Sequence, residues 1–175
     1  FDVAIRAYDH FYSLLNEKEK NEVKYILIGD GPLQKKINSL VQKLNSKKAI
    51  KLVKWIDQEE LNHYYKKASA LLVSSHEGGG AVVAEAMSFG VPVVCFDNYG
   101  AGETIDKSSG IMVKVESYEK SYKAMGLNLL RLYQDKSLLS QLMKGAKSNF
   151  EKNLTWDRKG HKLKLIYDEI SSEIN

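Results

Sequence analysis

Residues 70–96 read ALLVSSHEGGGAVVAEAMSFGVPVVCF. Two short, unbroken apolar runs, Ala70 to Ser74 and Val91 to Phe96, flank a glycine turn and a small-residue helix. Continuous apolar strands separated by a helix are the mark of a parallel sheet covered on both faces. The same alternation extends outward. Val23 to Ile28 is a β-branched run that ends at Gly29-Asp30-Gly31, and Pro32 then suits the first turn of a helix reaching about Leu44. Ile50 to Lys54 and Ile111 to Val115 read as further strands, and Asp57 or Gln58 opens another helix with Leu61, Tyr64 and Tyr65. Asp2 to Leu15 reads as an amphipathic helix with Val3, Ala7, Phe11, Leu14 and Leu15 on one side, followed by a charged connector, Glu17 to Glu22. After Ser117 only helical patterns remain: Tyr118 to Tyr133, Ser137 to Phe150 and Asp157 to Ile174. The expectation is one α/β domain, a doubly wound parallel sheet over residues 1–116 with a helical tail over 117–175.

Glu77 and Glu85 stand eight positions apart, around the start of the helix that follows the triple glycine Gly78-Gly79-Gly80. A glycine turn that opens a helix favours anions, because free backbone N–H groups and the helix dipole face the ligand together. Carboxylates beside such a turn would repel phosphate but accept hydrogen bonds from vicinal hydroxyls. A diphosphate with hydroxyl groups on both sides suits that layout, as in a nucleotide sugar. Glu85 lies among Val82, Val83, Ala84, Ala86 and Met87, so its helix reads as apolar nearly all round and buried. The alternatives for Glu85 are a structural ion pair or a glutamate at the solvent edge. Glu77, taken alone, also fits a solvated loop residue.

Composition sets outer bounds. The 175 residues are 43% hydrophobic and 27% charged, with two prolines, which suits one packed globular domain. A net charge of +4 is mild, and the lysines are dispersed along helical stretches as solvated faces would be, so no nucleic-acid partner is indicated. The single cysteine, Cys95, sits in an apolar run and reads as a buried strand residue of a reducing, cytoplasmic compartment. Neither a membrane-length apolar run nor a signal peptide is visible.

Other chemistries fit poorly. Gly29/Gly31, Gly78/Gly80 and Gly100/Gly102 each begin a G-x-G, but Gln34, Val83 and Ile105 stand where a dinucleotide fingerprint needs its third glycine. No P-loop or nucleophile elbow is present. The histidines His10, His63, His76 and His161 are scattered and no Asp-x-Asp exists, so no metal site is expected. His76, beside Glu77, reads as a ligand contact or an incidental loop residue, and Trp55 as a residue near a base or in the core. Tyr8, Tyr64 and Tyr65 read as packing residues with solvated hydroxyls.

With these residues in place, the chain resembles the retaining glycosyltransferases of the GT-B fold, in the group 1 family called GT4. The family's Glu, seven residues, Glu pattern stands here as Glu77-Gly78-Gly79-Gly80, Glu85-Ala86-Met87-Ser88 and Gly90-Val91-Pro92-Val93-Val94. Ile26 to Pro32 resembles its strand ending in Gly-Asp-Gly-Pro, Trp55-Ile56 its next strand end, and Gly110-Ile111-Met112-Val113 its Gly-Leu-Leu-Val strand. Thr155-Trp156 resembles the Ser-Trp before its final helix.

The resemblance implies the Rossmann-like, C-terminal, donor-binding half of such an enzyme. It carries Glu77 over as the residue approaching the transferred sugar and Glu85 as the acceptor of ribose hydrogen bonds. Backbone from Gly79 through Ala81 to Val82 would receive the diphosphate. His76, Gly29, Gly31, Trp55 and Gly100 complete the candidate donor site. The donor would be a UDP-, GDP- or ADP-sugar and the acceptor a glycan or lipid-linked glycan, with no cofactor and no essential metal. An N-terminal acceptor domain would be the partner, in the cytoplasm or at the inner face of the membrane, and peripheral membrane association through the full-length protein is compatible with this.

Two departures are visible. Gly79 replaces the usual aromatic residue. The family's first strand and its Arg/Lys loop have no counterpart before Phe1, so little transferase activity is expected of this chain alone. A non-catalytic nucleotide-sugar-binding module and a GT-B epimerase are the alternative readings.

Overall fold

The structure is a computed structural model that describes residues 1–75, 80–98 and 100–174. Its strands are β1 (Tyr25–Ile28), β2 (Ile50–Val53), β3 (Leu71–Val73), β4 (Val93–Phe96) and β5 (Gly110–Val113). The α-helices are α1 (Asp2–Ser13), α2 (Glu17–Lys20), α3 (Gln34–Gln42), α4 (Gln58–Lys67), α5 (Ala81–Ser88), α6 (Ala101–Thr104), α7 (Tyr118–Gln134), α8 (Lys136–Asn149) and α9 (Trp156–Ile174). The expected doubly wound α/β architecture with a helical tail is present. All strand pairs are parallel, in two ladders ordered β1-β2 and β3-β4-β5.

Strand β4 shows why both faces need cover. Its residues alternate: Val93 and Cys95 face a cluster with Val83 and Met87 of α5 and Ala146 of α8. Val94 and Phe96 face Ala7 of α1, Met125 and Leu132 of α7 and Leu142 of α8. A strand sends successive side chains to opposite faces, so an all-apolar run is stable only between two helical layers. All four β4 residues are buried, whereas all four of β1 are only half-buried.

Helix α1 joins the two ladders. Ala7 packs over β4, while Ile5, Tyr8 and Phe11 pack with Val41 and Ile50 and against Tyr25, Leu27 and Leu52. Asp9 on the same helix accepts hydrogen bonds from the backbone N–H and hydroxyl of the buried Ser46, at 3.0 and 2.7 Å. Leu14, expected on the buried side, is exposed, because α1 ends at Ser13 and Leu14 is its C-cap. Tyr8 is also not as expected. Its ring stacks on Tyr25 at 5.1 Å, and its hydroxyl is buried with no hydrogen-bond partner among the described residues.

Local signals explain most boundaries. The connector at Glu17 contains the short helix α2, closed by a capping box between Asn16 and Glu19. Strand β4 starts two residues later than the apolar run, since Pro92 has no N–H to give to a ladder. A 3₁₀ turn at Lys47–Ala49 and a π-helical turn at Phe150–Leu154 carry no recognisable sequence signal. Asp57 caps α4 by accepting from Glu60 N–H at 2.8 Å. Asp57→Ala is therefore expected to destabilise the protein by about 0.5–2 kcal/mol, read as a lower thermal midpoint. In the tail, Leu163, Ile166 and Ile170 of α9 are each 49–51% exposed. They form an uncovered apolar stripe along that helix.

Candidate functional site

In a parallel sheet the carboxyl ends of the strands share one edge, and in open α/β sheets ligands bind outside that edge. Gly29 follows β1 with φ +123° and donates its N–H to Val53 O at 3.0 Å. Its side-chain position, like that of Gly31, opens onto free space. Trp55, just past β2, is 76% exposed, so it is not a core residue. It stands free at the same ladder end.

The turns after β3 and β4 meet each other. Gly80 is the N-cap of α5 with φ +56°, a left-handed conformation that costs a side chain roughly 1–2 kcal/mol. A Cβ at Gly80 would lie 2.9 Å from Thr104 Oγ1, and that hydroxyl donates to Gly100 O at 2.9 Å. Gly80 and Gly100, twenty residues apart in sequence, are thereby packed together through Thr104. The sequence placed Gly100 in the candidate donor site but gave no sign of the short helix α6 that it caps.

Helix α5 opens from Gly80. Val83 and Ala84 donate their N–H groups to Gly80 O at 3.0 and 3.1 Å. The N–H groups of Ala81 and Val82 belong to the first turn, which has no intrahelical acceptors. Ala81 is exposed and Val82 half-buried, so this end of the helix is open on one side. Its other end is closed: Lys147 Nζ donates to Ser88 O at 2.7 Å, placing a cation at the negative helix terminus.

Glu85 is half-buried, not enclosed as its apolar neighbours suggested. Val83, Ala86 and Met87 are buried in the core and Val82 packs partly buried against it, while Ala84 and Glu85 lie at the margin. An eight-residue helix of small residues can be apolar all round in sequence and still bury one side only, because Ala adds little to either face. Glu85 Oε2 accepts a hydrogen bond from the Tyr65 hydroxyl at 3.3 Å. Tyr65 was expected to have a solvated hydroxyl; instead it is 6% exposed, its ring stacked on Phe89 with centroids 5.6 Å apart. Burial pushes the Tyr65 phenol well above its ordinary pKa, with the neighbouring Glu85 carboxylate adding to the effect. It therefore stays a donor across the physiological range.

His76, Glu77, Gly78 and Gly79 lie outside the described residues. Among the described residues, no cluster of three or more His, Cys, Asp or Glu is arranged to hold a metal ion. Burial pushes the Cys95 thiol up to about 11, which leaves it inert. No helix among the described residues is long and apolar enough to cross a membrane.

Comparison with known proteins gives this arrangement a context. The pneumococcal O-GlcNAc transferase GtfA, solved with UDP and GlcNAc, superposes with a TM-score of 0.78 at 20% identity, over 95% of this chain and 32% of that one. Anabaena Alr3699/HepE, solved with UDP, gives 0.74 at 17% identity, over 95% and 44% of the two chains. Sucrose-phosphate synthase from Thermosynechococcus elongatus gives 0.73 at 21% identity, over 97% and 43%. The chain thus spans a third to under a half of the length of these solved proteins, which share its fold. No curated protein matches it by sequence. The family profile described as "Glycosyl transferases group 1" matches residues 2–148, which include both glycine turns, Glu77, Glu85 and every strand. The chain belongs to the group 1 glycosyl transferases.

Proposed function

We propose that this chain is the donor-binding domain of a retaining, GT4-type hexosyltransferase. The full-length protein would move a sugar from a nucleotide-diphosphate sugar to a glycan or lipid-linked acceptor in cytoplasmic polysaccharide assembly, with an N-terminal domain holding the acceptor. The observation that carries the reading is the geometry of α5. Its first-turn amides open at the buried Gly80 turn, and a carboxylate, Glu85, sits half-exposed five residues further on. UDP in the GtfA and HepE complexes supports a uridine nucleotide as the donor's leaving group.

In this reading the amides of Ala81 and Val82 receive the diphosphate, and Glu85 accepts hydrogen bonds from the ribose hydroxyls. As the glycosidic bond to the diphosphate breaks, negative charge grows on the departing phosphate oxygen. A helix terminus already oriented toward it stabilises that charge without reorganising. The same reading assigns the transferred sugar to Glu77 and counts His76, Gly78 and Gly79 among the donor-site residues. Gly29, Gly31 and Trp55 border the base side, and Gly100 supports the phosphate turn through Thr104. No metal or cofactor enters the scheme.

Calorimetric titration of UDP-, GDP- and ADP-sugars into the full-length protein tests the proposal. A UDP-sugar is expected to bind at least about tenfold more tightly than the other two. Failure of a folded protein to bind any of the three would overturn it in favour of a module without donor affinity.

A further inference from the structure

We infer that Tyr65 is a positioning residue for Glu85, holding its carboxylate in the orientation that reads the ribose hydroxyls of the nucleotide. The inference rests on the assignment of Glu85 to the donor ribose, and deepens it.

The two residues come from different helices, α4 and α5, and are 20 positions apart in sequence. The Tyr65 ring is locked in place. It lies in a small cluster with Ala86 and Val91, packed by Leu61, Ala68, Leu71, Val82 and Phe89, and it stacks on Phe89 at an interplanar angle of 22°. With the ring fixed, the hydroxyl has little freedom to leave Glu85 Oε2. Glu85, in contrast, is on the open margin of α5, where a three-torsion side chain would otherwise sample several rotamers. A buried donor on one oxygen selects among those rotamers.

The chemistry is suited to that role. A carboxylate has lone pairs for about four hydrogen bonds. Tyr65 uses one on Oε2, which leaves Oε1 and the remaining pairs for two vicinal hydroxyls. The helix backbone beneath it is tied down as well: Ser88 Oγ donates to the Glu85 carbonyl O at 2.6 Å, and Lys147 closes the same helix terminus through Ser88 O. Helix α4 starts at the Asp57 cap, two residues after Trp55, which the proposed function places on the base side. One ten-residue helix therefore runs from that cap through Tyr65. The 3.3 Å separation is longer than the usual 2.7–2.8 Å for O–H···O, so the effect of losing this hydroxyl is modest.

The test compares UDP with 2′,3′-dideoxy-UDP by calorimetry on the full-length protein and its Tyr65→Phe, Glu85→Gln and doubly substituted variants. Tyr65→Phe keeps the ring and its stacking on Phe89, so an unchanged thermal midpoint is expected. It should weaken UDP binding about 2- to 10-fold. Dideoxy-UDP binding should be unaffected, and the substitution should add nothing once Glu85 is glutamine. Equal weakening toward both ligands would mean a merely structural role and overturn the inference. So would full additivity with Glu85→Gln, or no effect of Tyr65→Phe while Glu85→Gln selectively weakens UDP. If Glu85→Gln itself fails to discriminate between the two ligands, the ribose assignment of Glu85 falls, and the inference with it.

Discussion

Replacing Glu85 with alanine is expected to weaken nucleotide-sugar binding about 10- to 150-fold. The figure follows from the 1.5–3 kcal/mol typical of a hydrogen bond to a charged group. The loss should fall on binding and not on folding. Glu85 is half-buried and makes none of the core contacts of α5, which come from Val82, Val83, Ala86 and Met87, and alanine is the better helix former. Its one described side-chain partner is the Tyr65 hydroxyl, which would be left without an acceptor. A stability loss of about 1 kcal/mol is therefore the most that should accompany the binding defect. Calorimetric titration beside a denaturation curve separates the two quantities. Unchanged affinity in a folded variant would remove Glu85 from the donor site.

The second large effect concerns the fold. Ile5→Ala is expected to reduce stability by about 2–5 kcal/mol, a large share of the 5–15 kcal/mol available to a typical domain. Ile5 is fully buried, packed with Tyr8, Phe11, Leu15, Val41 and Ile50 against β1 and β2. Two residues along the same helix, Ala7 packs over β4 in the other ladder. A cavity at Ile5 therefore loosens the seam between the two ladders and not a peripheral patch. The urea midpoint should fall while the slope of the transition stays constant, since the surface exposed on unfolding is nearly the same. A loss below about 1 kcal/mol would mean that α1 does not hold the β1-β2 ladder in the cooperative core.

Much of this molecule is legible in the letters. Every described strand was marked by a short apolar run. Strands β1 to β4 trim those runs by one or two residues at an end, while β5 starts one residue ahead of its run at Gly110 and stops two short of Val115. Helix starts carried their own signals, as Asp57 does for α4. Residues whose environment depends on other segments read less well. Trp55 was equally consistent with a core position and proves 76% exposed, because the large ring lies just past the end of β2. Tyr8 and Tyr65 both read as packing residues with solvated hydroxyls, yet one hydroxyl is buried without a partner among the described residues and the other donates to Glu85. Nothing at positions 8 or 65 distinguishes them locally, since the difference lies in Tyr25 beneath one and α5 beside the other.

Local physics thus determined the elements and the family pattern. Strand alternation, helix caps and glycine turns act over a few residues, and their energies are set before any distant contact forms. The sequence also singled out Glu85 and the Gly80 turn, because a carboxylate and an open helix start have a chemistry of their own. Only the tertiary structure decided that the five described strands pair as two parallel ladders under a shared α1. It alone packed Gly80 against Thr104 and Gly100 and brought the Tyr65 hydroxyl to Glu85. Those relations arise from how faces fill space when separate segments pack together, and side chains twenty residues apart carry no local trace of one another.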